Sequence, residues 1–192
     1  MHVIGIDEAG RGPLAGPVSV GVVMAPEGFD IAKEFPGVND SKKLSEKKRE
    51  EIYEKLVARA ALGDIHFTVE FESADTIDSE GIVPAVNRAL VRGLNRLAPD
   101  PSLVRIQLDG SLHAPKEYEQ ETIIHGDSLI PIISLASIAA KVERDHLMVE
   151  LAKEYPEYGL ETHKGYGTKM HYEALQKHGL SAIHRHSFIH ID

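Results

Sequence analysis

Two carboxylates, Asp7 and Glu8, stand side by side at the end of the apolar run His2–Ile6, and Gly10-Arg11-Gly12 follows at once. Ending a buried run in two acids is costly unless they meet cations or water. Asp109 and Asp127, each next to a glycine, close other apolar stretches much later in the chain. Carboxylates gathered at one place cannot all ionise comfortably without a cation. In a chain with no cysteine, a hard-oxygen set of this kind favours magnesium or manganese over zinc. A solvated turn is the plainer reading of an isolated Asp-Glu pair. The arginine held between glycines and the later aspartates argue against it here. Successive strand side chains point to opposite faces, so Asp7 and Glu8 reach one site only if the strand breaks or bulges at Ala9-Gly10. That break is expected.

The elements that must position these acids follow from periodicity. Residues 2–7 and 17–25 are β-branched runs separated by a Gly- and Pro-containing turn, which predicts an antiparallel pair. Residues 26–40, with Pro26, Gly28, Pro36 and Gly37, read as a loop. Ser45 caps a helix to about Leu62, and residues 64–71 alternate as a half-buried strand. A short helix near Ala74 precedes a longer one over Ile82–Leu97, where Pro84 falls in the tolerant first turn. Strands over 103–108 and 120–124 end at Asp109-Gly110 and near His125-Gly126-Asp127. Next comes a helix from about Ile133 to Glu154, whose Ala136, Ser137, Ala139 and Ala140 are small enough to pack closely on a sheet. A last helix spans 168–178. The expected architecture is α/β: a mixed central β-sheet flanked by helices, with a small C-terminal helical segment. Asp7, Asp109 and Asp127 then meet at one edge of the sheet layer.

The 192 residues, 42% hydrophobic and 27% charged, suit one domain over 1–192 with a full core. No apolar stretch reaches transmembrane length and no signal pattern opens the chain, so a cytoplasmic protein is expected, without membrane contact and as a monomer. Net charge is −9, which taken alone argues against a nucleic-acid partner. The distribution argues otherwise: residues 41–49 carry five positive charges and one negative, and six of eleven histidines lie between His163 and His190 beside Lys164, Lys169, Lys177 and Arg185.

Rival motifs are weaker. Gly10 to Gly16 misses the dinucleotide-binding spacing, and Pro13 lacks the N–H a phosphate would need. His184, His186 and His190 could bind a transition metal, but a surface or phosphate-facing tail fits better. Asp145 pairs naturally with Lys141 one helical turn away and reads as structural.

Six segments, in order, resemble the ribonuclease HII (type 2 ribonuclease H) family. They are Gly5-Ile-Asp-Glu-Ala-Gly-Arg-Gly-Pro13, Asp40-Ser-Lys-Lys-Leu44, Leu108-Asp-Gly110, Ala136-Ser-Ile-Ala-Ala-Lys-Val-Glu-Arg-Asp145, His163-Lys-Gly-Tyr-Gly-Thr168 and His184-Arg-His-Ser-Phe188. The resemblance implies a ribonuclease H-like fold and hydrolysis of the RNA strand of RNA–DNA hybrids. It also implies incision at single ribonucleotides embedded in duplex DNA, leaving 3′-hydroxyl and 5′-phosphate ends, in ribonucleotide removal, replication and repair. By motif, Asp7, Glu8, Asp109 and Asp127 match the family's metal-binding acids, implying a two-metal site for Mg2+ or Mn2+ in which Asp7 is the expected bridging acid. Gly10, Arg11 and Gly12 match its junction-reading loop, and Tyr166 its sugar-stacking tyrosine. Ser41, Lys42 and Lys43, with His184, Arg185 and Ser187, stand as further substrate contacts, so the segment from about 155 to 192 is expected to touch substrate. His186 departs from the arginine more usual in bacterial relatives.

Overall fold

The structure is a computed structural model and describes residues 1–38 and 44–190. The chain runs β1 (His2–Ala9), β2 (Val18–Pro26), α1 (Ile31–Glu34), α2 (Glu46–Ala61), β3 (His66–Glu72), α3 (Ala74–Glu80) and α4 (Ile82–Leu97). It continues through β4 (Val104–Asp109), β5 (Glu119–Ile123), α5 (Gly126–Leu129), α6 (Pro131–Glu154), α7 (Leu160–His163) and α8 (Lys169–His178). No helix among the described residues is long and apolar enough to cross a membrane.

One five-stranded sheet has the order β3-β2-β1-β4-β5. β1 pairs antiparallel with β2, from His2↔Pro26 to Ala9↔Ser19, and parallel with β4, from His2↔Val104 to Ile6↔Leu108. β2–β3 is antiparallel and β4–β5 parallel, so the sheet is mixed, as the sequence implies. β1 and β2 carry nearly unbroken apolar runs because both of their faces are covered. On one face Ile4, Ile6, Val20 and Val22 meet Val86, Ala89, Leu90 and Leu94 of α4. On the other, Val23 and Ala25 meet Ile132, Leu135, Ala136 and Ala139 of α6.

The close fit of α6 depends on two strand glycines. A Cβ on Gly5 would lie 2.4 Å from the Ile132 carbonyl oxygen, and one on Gly21 2.2 Å from that of Ala136. Glycine in the strands and alanine in the helix together let backbone approach backbone, which puts the N-terminal half of α6 directly over the end of β1. A third cluster, with Leu14, Ala15, Met148, Tyr158, Leu160 and Leu175, fastens the C-terminal segment to the far half of α6.

Three expectations change. The loop read over 26–40 contains α1, capped by Asp30, whose carboxylate accepts the Lys33 N–H at 3.0 Å. β1 does not bulge: its pairing with β2 is unbroken through Ala9, and the chain turns only at Gly10, with φ +86°. Asp127 ends no strand. After β5, His125 takes a left-handed conformation (φ 58°) and turns the chain into α5, which carries Asp127 in its first turn.

Candidate active site

The parallel register that matches Ile6 with Leu108 sets the next residues, Asp7 and Asp109, at the same end of adjacent strands. Asp7 is only 5% exposed. Burial, the Glu8 carboxylate and the Asp109 carboxylate push its pKa well above the ordinary aspartate value, against a stabilising hydrogen bond from Ser137 on α6. Burial likewise raises Glu8, opposed by Arg11, whose Nη1 lies 3.2 Å from Glu8 Oε1. Asp7 Oδ1 accepts the Glu8 backbone N–H at 2.7 Å. Glu8 therefore joins Asp7 and Asp109 electrostatically with no strand break.

Asp127 is fully buried. Its backbone N–H donates to Asp109 Oδ1 at 3.2 Å, and its Oδ1 receives the Ser128 hydroxyl at 3.4 Å. Among the described residues no three Asp, Glu or His side chains form a ready-made metal cage. The residues nevertheless fit a hard divalent ion. Glu8 Oε2 is buried without a hydrogen-bond partner among the described residues, and burial, with the neighbouring carboxylates, disfavours the charged forms of Asp7 and Glu8, which a cation would favour.

Beside the acids lies a groove of about 310 Å³ lined by Glu8, Ala9, Gly10, Arg49, Ser137, Lys141 and Tyr166. Tyr166 is 42% exposed at its wall, with Lys141 Nζ 5.8 Å and the Arg144 guanidinium 6.0 Å from its ring centroid. Gly10 has to be glycine: its φ is positive, and an added Cβ would lie 2.1 Å from Arg144 Nε.

His184 and Arg185 are corrected by the structure, since both are fully buried and cannot contact a nucleic acid. Arg185 donates to the carbonyls of Gly10 (2.7 Å), Arg11 (2.9 Å) and Gly16 (2.9 Å). Burial, with Arg144 nearby, pushes its pKa down to about 9. With the Gly10 and Arg11 carbonyls drawn inward, the N–H groups of Arg11 and Gly12 face the opposite way, because a trans peptide sets C=O and N–H apart. Arg185 thus shapes the loop from beneath. His184 is bonded to His171 and Ser181. Ser187 is exposed, but its hydroxyl and N–H both donate to Asp78 Oδ1, so it anchors the C-terminal turn to α3. Ser41, Lys42 and Lys43 lie outside the described residues.

Sequence reasoning passed over Ser137, Arg49 and Lys141 as site residues. Lys141 does make the expected pair with Asp145, at 2.7 Å, yet it also lines the groove. The available signal was the placement of Ser137 and Lys141 four residues apart, on one helix face.

A mixed sheet of this order, flanked by helices and bearing acids at the ends of its adjacent parallel strands, defines a ribonuclease H-like protein. Residues 4–191 match the family model described as Ribonuclease HII. The chain is 47% identical to a ribonuclease HII of Endomicrobium trichonymphae, over 97% of this chain and 84% of that one. Among solved structures it resembles ribonuclease H2 from Pyrococcus horikoshii OT3 (TM-score 0.75, 29% identity, 97% of this chain and 93% of that one). It shares the fold of the Archaeoglobus fulgidus RNase HII solved in complex with PCNA (TM-score 0.79, 24% identity, 100% and 97% covered). The chain belongs to the ribonuclease HII family, and its activity is that of the family, endonucleolytic degradation of RNA in RNA–DNA hybrids.

Proposed function

We propose that this endonuclease also incises duplex DNA at single embedded ribonucleotides, leaving 3′-hydroxyl and 5′-phosphate ends, and that Asp7, Glu8, Asp109 and Asp127 hold two divalent ions, Mg2+ or Mn2+. The observation that carries the reading is the convergence of Asp7, Glu8 and Asp109, two of them with raised pKa values and one with a buried oxygen that has no partner among the described residues. When bound, such ions supply activation of the attacking water and stabilisation of the leaving oxygen. The protein's own residues do the rest. Asp7 and Glu8 would supply carboxylate oxygens as ligands, and Ser137 and the Glu8 N–H hold the Asp7 carboxylate in place. Arg11 is positioned by Glu8, and the outward N–H groups of Arg11 and Gly12 present donors for the 2′-hydroxyl, the group that separates RNA from DNA. The Tyr166 ring stacks on the sugar beside the ribonucleotide. Lys42 and Lys43, with Ser41, take phosphates, and Arg49 and Lys141 add positive charge along the groove wall.

The test is magnesium-dependent cleavage of a duplex containing one ribonucleotide, with incision expected at that nucleotide and none on the all-DNA control. Cleavage confined to continuous hybrid would overturn the single-ribonucleotide reading. Salt-dependent duplex binding separates this reading from a small-molecule phosphatase using the same acids.

A further inference from the structure

Three buried histidines outside the acidic site form a hydrogen-bond chain whose direction is fixed. His184 Nδ1 accepts the Ser181 N–H at 3.0 Å and the Ser181 hydroxyl at 2.8 Å, so the ring proton of His184 sits on Nε2. That Nε2 lies 3.0 Å from His171 Nε2, which must accept. His171 therefore carries its proton on Nδ1 and donates it to the Tyr166 carbonyl at 3.0 Å. His163, its ring stacked on His171 with centroids 4.4 Å apart, accepts the Gly165 N–H on Nδ1 (3.2 Å) and donates from Nε2 to the Tyr158 carbonyl (2.8 Å). All six ring nitrogens are used, each in one role, and the set closes only with three neutral rings.

We propose that His171 is a positioning residue for substrate discrimination: the chain from Ser181 through His184 and His171 pins the Tyr166 peptide, and with it the ring at the groove wall. This rests on the reading that Tyr166 meets the sugar beside the ribonucleotide. The neighbourhood keeps the chain neutral. Burial lowers His171 and takes His184 down to about 4, and among the described residues no acid favours a proton on either ring. The surrounding groups are His163 on α7, His178 on α8, His186 beyond the chain, the phenols of Tyr158 and Tyr166, and the guanidiniums of Arg144 and Arg185; Asp78 on α3 acts on His186 and Arg185 instead. A proton added to any ring would set two donors against each other, at Gly165, at Ser181 or between His171 and His184.

Neutrality and direction are checked on the unaltered protein by the nitrogen chemical shifts of its imidazoles at pH 7. His171 is expected as the Nδ1–H tautomer and His163 and His184 as Nε2–H; a proton on His171 Nε2 overturns the proposal. Function is checked by the ratio of kcat/KM on a single-ribonucleotide duplex to that on continuous hybrid. His171→Leu is expected to lower this ratio roughly tenfold, part of the worth of one stacking contact. His171→Asn, whose amide donates where Nδ1–H did, should recover most of the ratio while sharing the loss in melting temperature. Adding His171→Leu to Tyr166→Ala should lower the ratio no further than Tyr166→Ala alone. A ratio that follows melting temperature across the variants, or a folded His171→Leu protein with the normal ratio, rejects the positioning role. If Tyr166→Ala itself leaves the ratio unchanged, the reading of Tyr166 falls and this inference with it. If it lowers the ratio while His171→Leu does not, only the inference falls.

Discussion

The acidic end of β1 and β4 and the basic hub beneath the Gly10–Gly16 loop are opposites in more than charge. Asp7, Glu8 and Asp109 crowd one another; burial pushes the pKa values of Asp7 and Glu8 up, and Glu8 Oε2 is buried without a hydrogen-bond partner among the described residues. Arg144 and Arg185, both fully buried, form no ion pair among the described residues but donate to six backbone carbonyls, three each. A buried charge is costly in either case. In the hub hydrogen bonds to every guanidinium nitrogen offset part of that cost, and the hub serves as scaffold. At the acids it is not offset in this way, which is why they are proposed as the place where divalent ions bind. Satisfaction, not charge or burial, separates the two.

The sharpest way to break this comparison is Asp109→Asn. A folded protein with cleavage reduced by orders of magnitude is expected, since asparagine keeps an oxygen to accept the Asp127 N–H while the proposed ligand charge is lost. Near-normal turnover at low-millimolar magnesium would put the catalytic centre elsewhere.

The converse holds for the hub. Arg185→Leu strands three buried carbonyls and should cost about 3 kcal/mol or more of stability, read as a lower urea midpoint at unchanged slope. Exposed Arg11→Ala should cost less than about 1 kcal/mol, as for surface ion pairs, while weakening discrimination between ribonucleotide and DNA substrates. Similar unfolding midpoints for the two variants would erase the distinction.

The same contrast explains what the sequence could and could not reveal. The sheet, its mixed direction and the long helices were readable because apolar periodicity is local: Ile82–Leu97 is matched residue for residue. The proximity of Asp7 and Asp109 was readable because strand ends are visible in one dimension, whereas Asp127, read as closing a strand, sits in α5. The role of Arg185 was not. Its partners, Gly10, Arg11 and Gly16, lie about 170 residues away and contribute carbonyls, which every residue has and no sequence pattern marks. His184-Arg185 therefore looked like a phosphate-facing pair. Glu8 escaped the alternation rule for a related reason. The rule places a side chain's root, while the longer glutamate, beside Gly10, reaches the other acids from a regular strand.

Acid should move the acidic cluster and the neutral histidine chain in opposite directions. His184, lowered from 6.5 to about 4, is protonated more readily in the unfolded chain. Its contribution is therefore present above pH 6.5 and is lost as pH falls from 6.5 through about 4. Asp7 has a raised folded pKa, so its contribution is present below the ordinary aspartate value and is lost as pH rises through the folded pKa. Urea unfolding from pH 7 to pH 4 should show His184→Gln losing less stability than the parent, by on the order of 1–3 kcal/mol. Over the same range Asp7→Asn should lose more than the parent, because it lacks an acid that gains by protonation. Parallel curves for all three proteins would mean that burial shifts neither His184 nor Asp7 in these directions.

The smallest effect concerns Asp127, which is fully buried and touches the other acids in this structure through its backbone N–H on Asp109 Oδ1. If its carboxylate completes the ligand set, then in metal-free protein it adds to a repulsive cluster, and Asp127→Asn should raise the melting temperature by a few degrees, or about 1 kcal/mol. Magnesium binds the folded site preferentially and should stabilise the parent by mass action, about 2.7 kcal/mol at a hundredfold excess over Kd. The variant, short of one hard ligand, should show a smaller shift at every magnesium concentration. The two curves should then cross, with the variant more stable without magnesium and the parent more stable with it. Thermal melts across a magnesium series read this directly. Superimposable magnesium-induced shifts would leave Asp127 as a packing residue of α5 and reduce the ligand set to Asp7, Glu8 and Asp109.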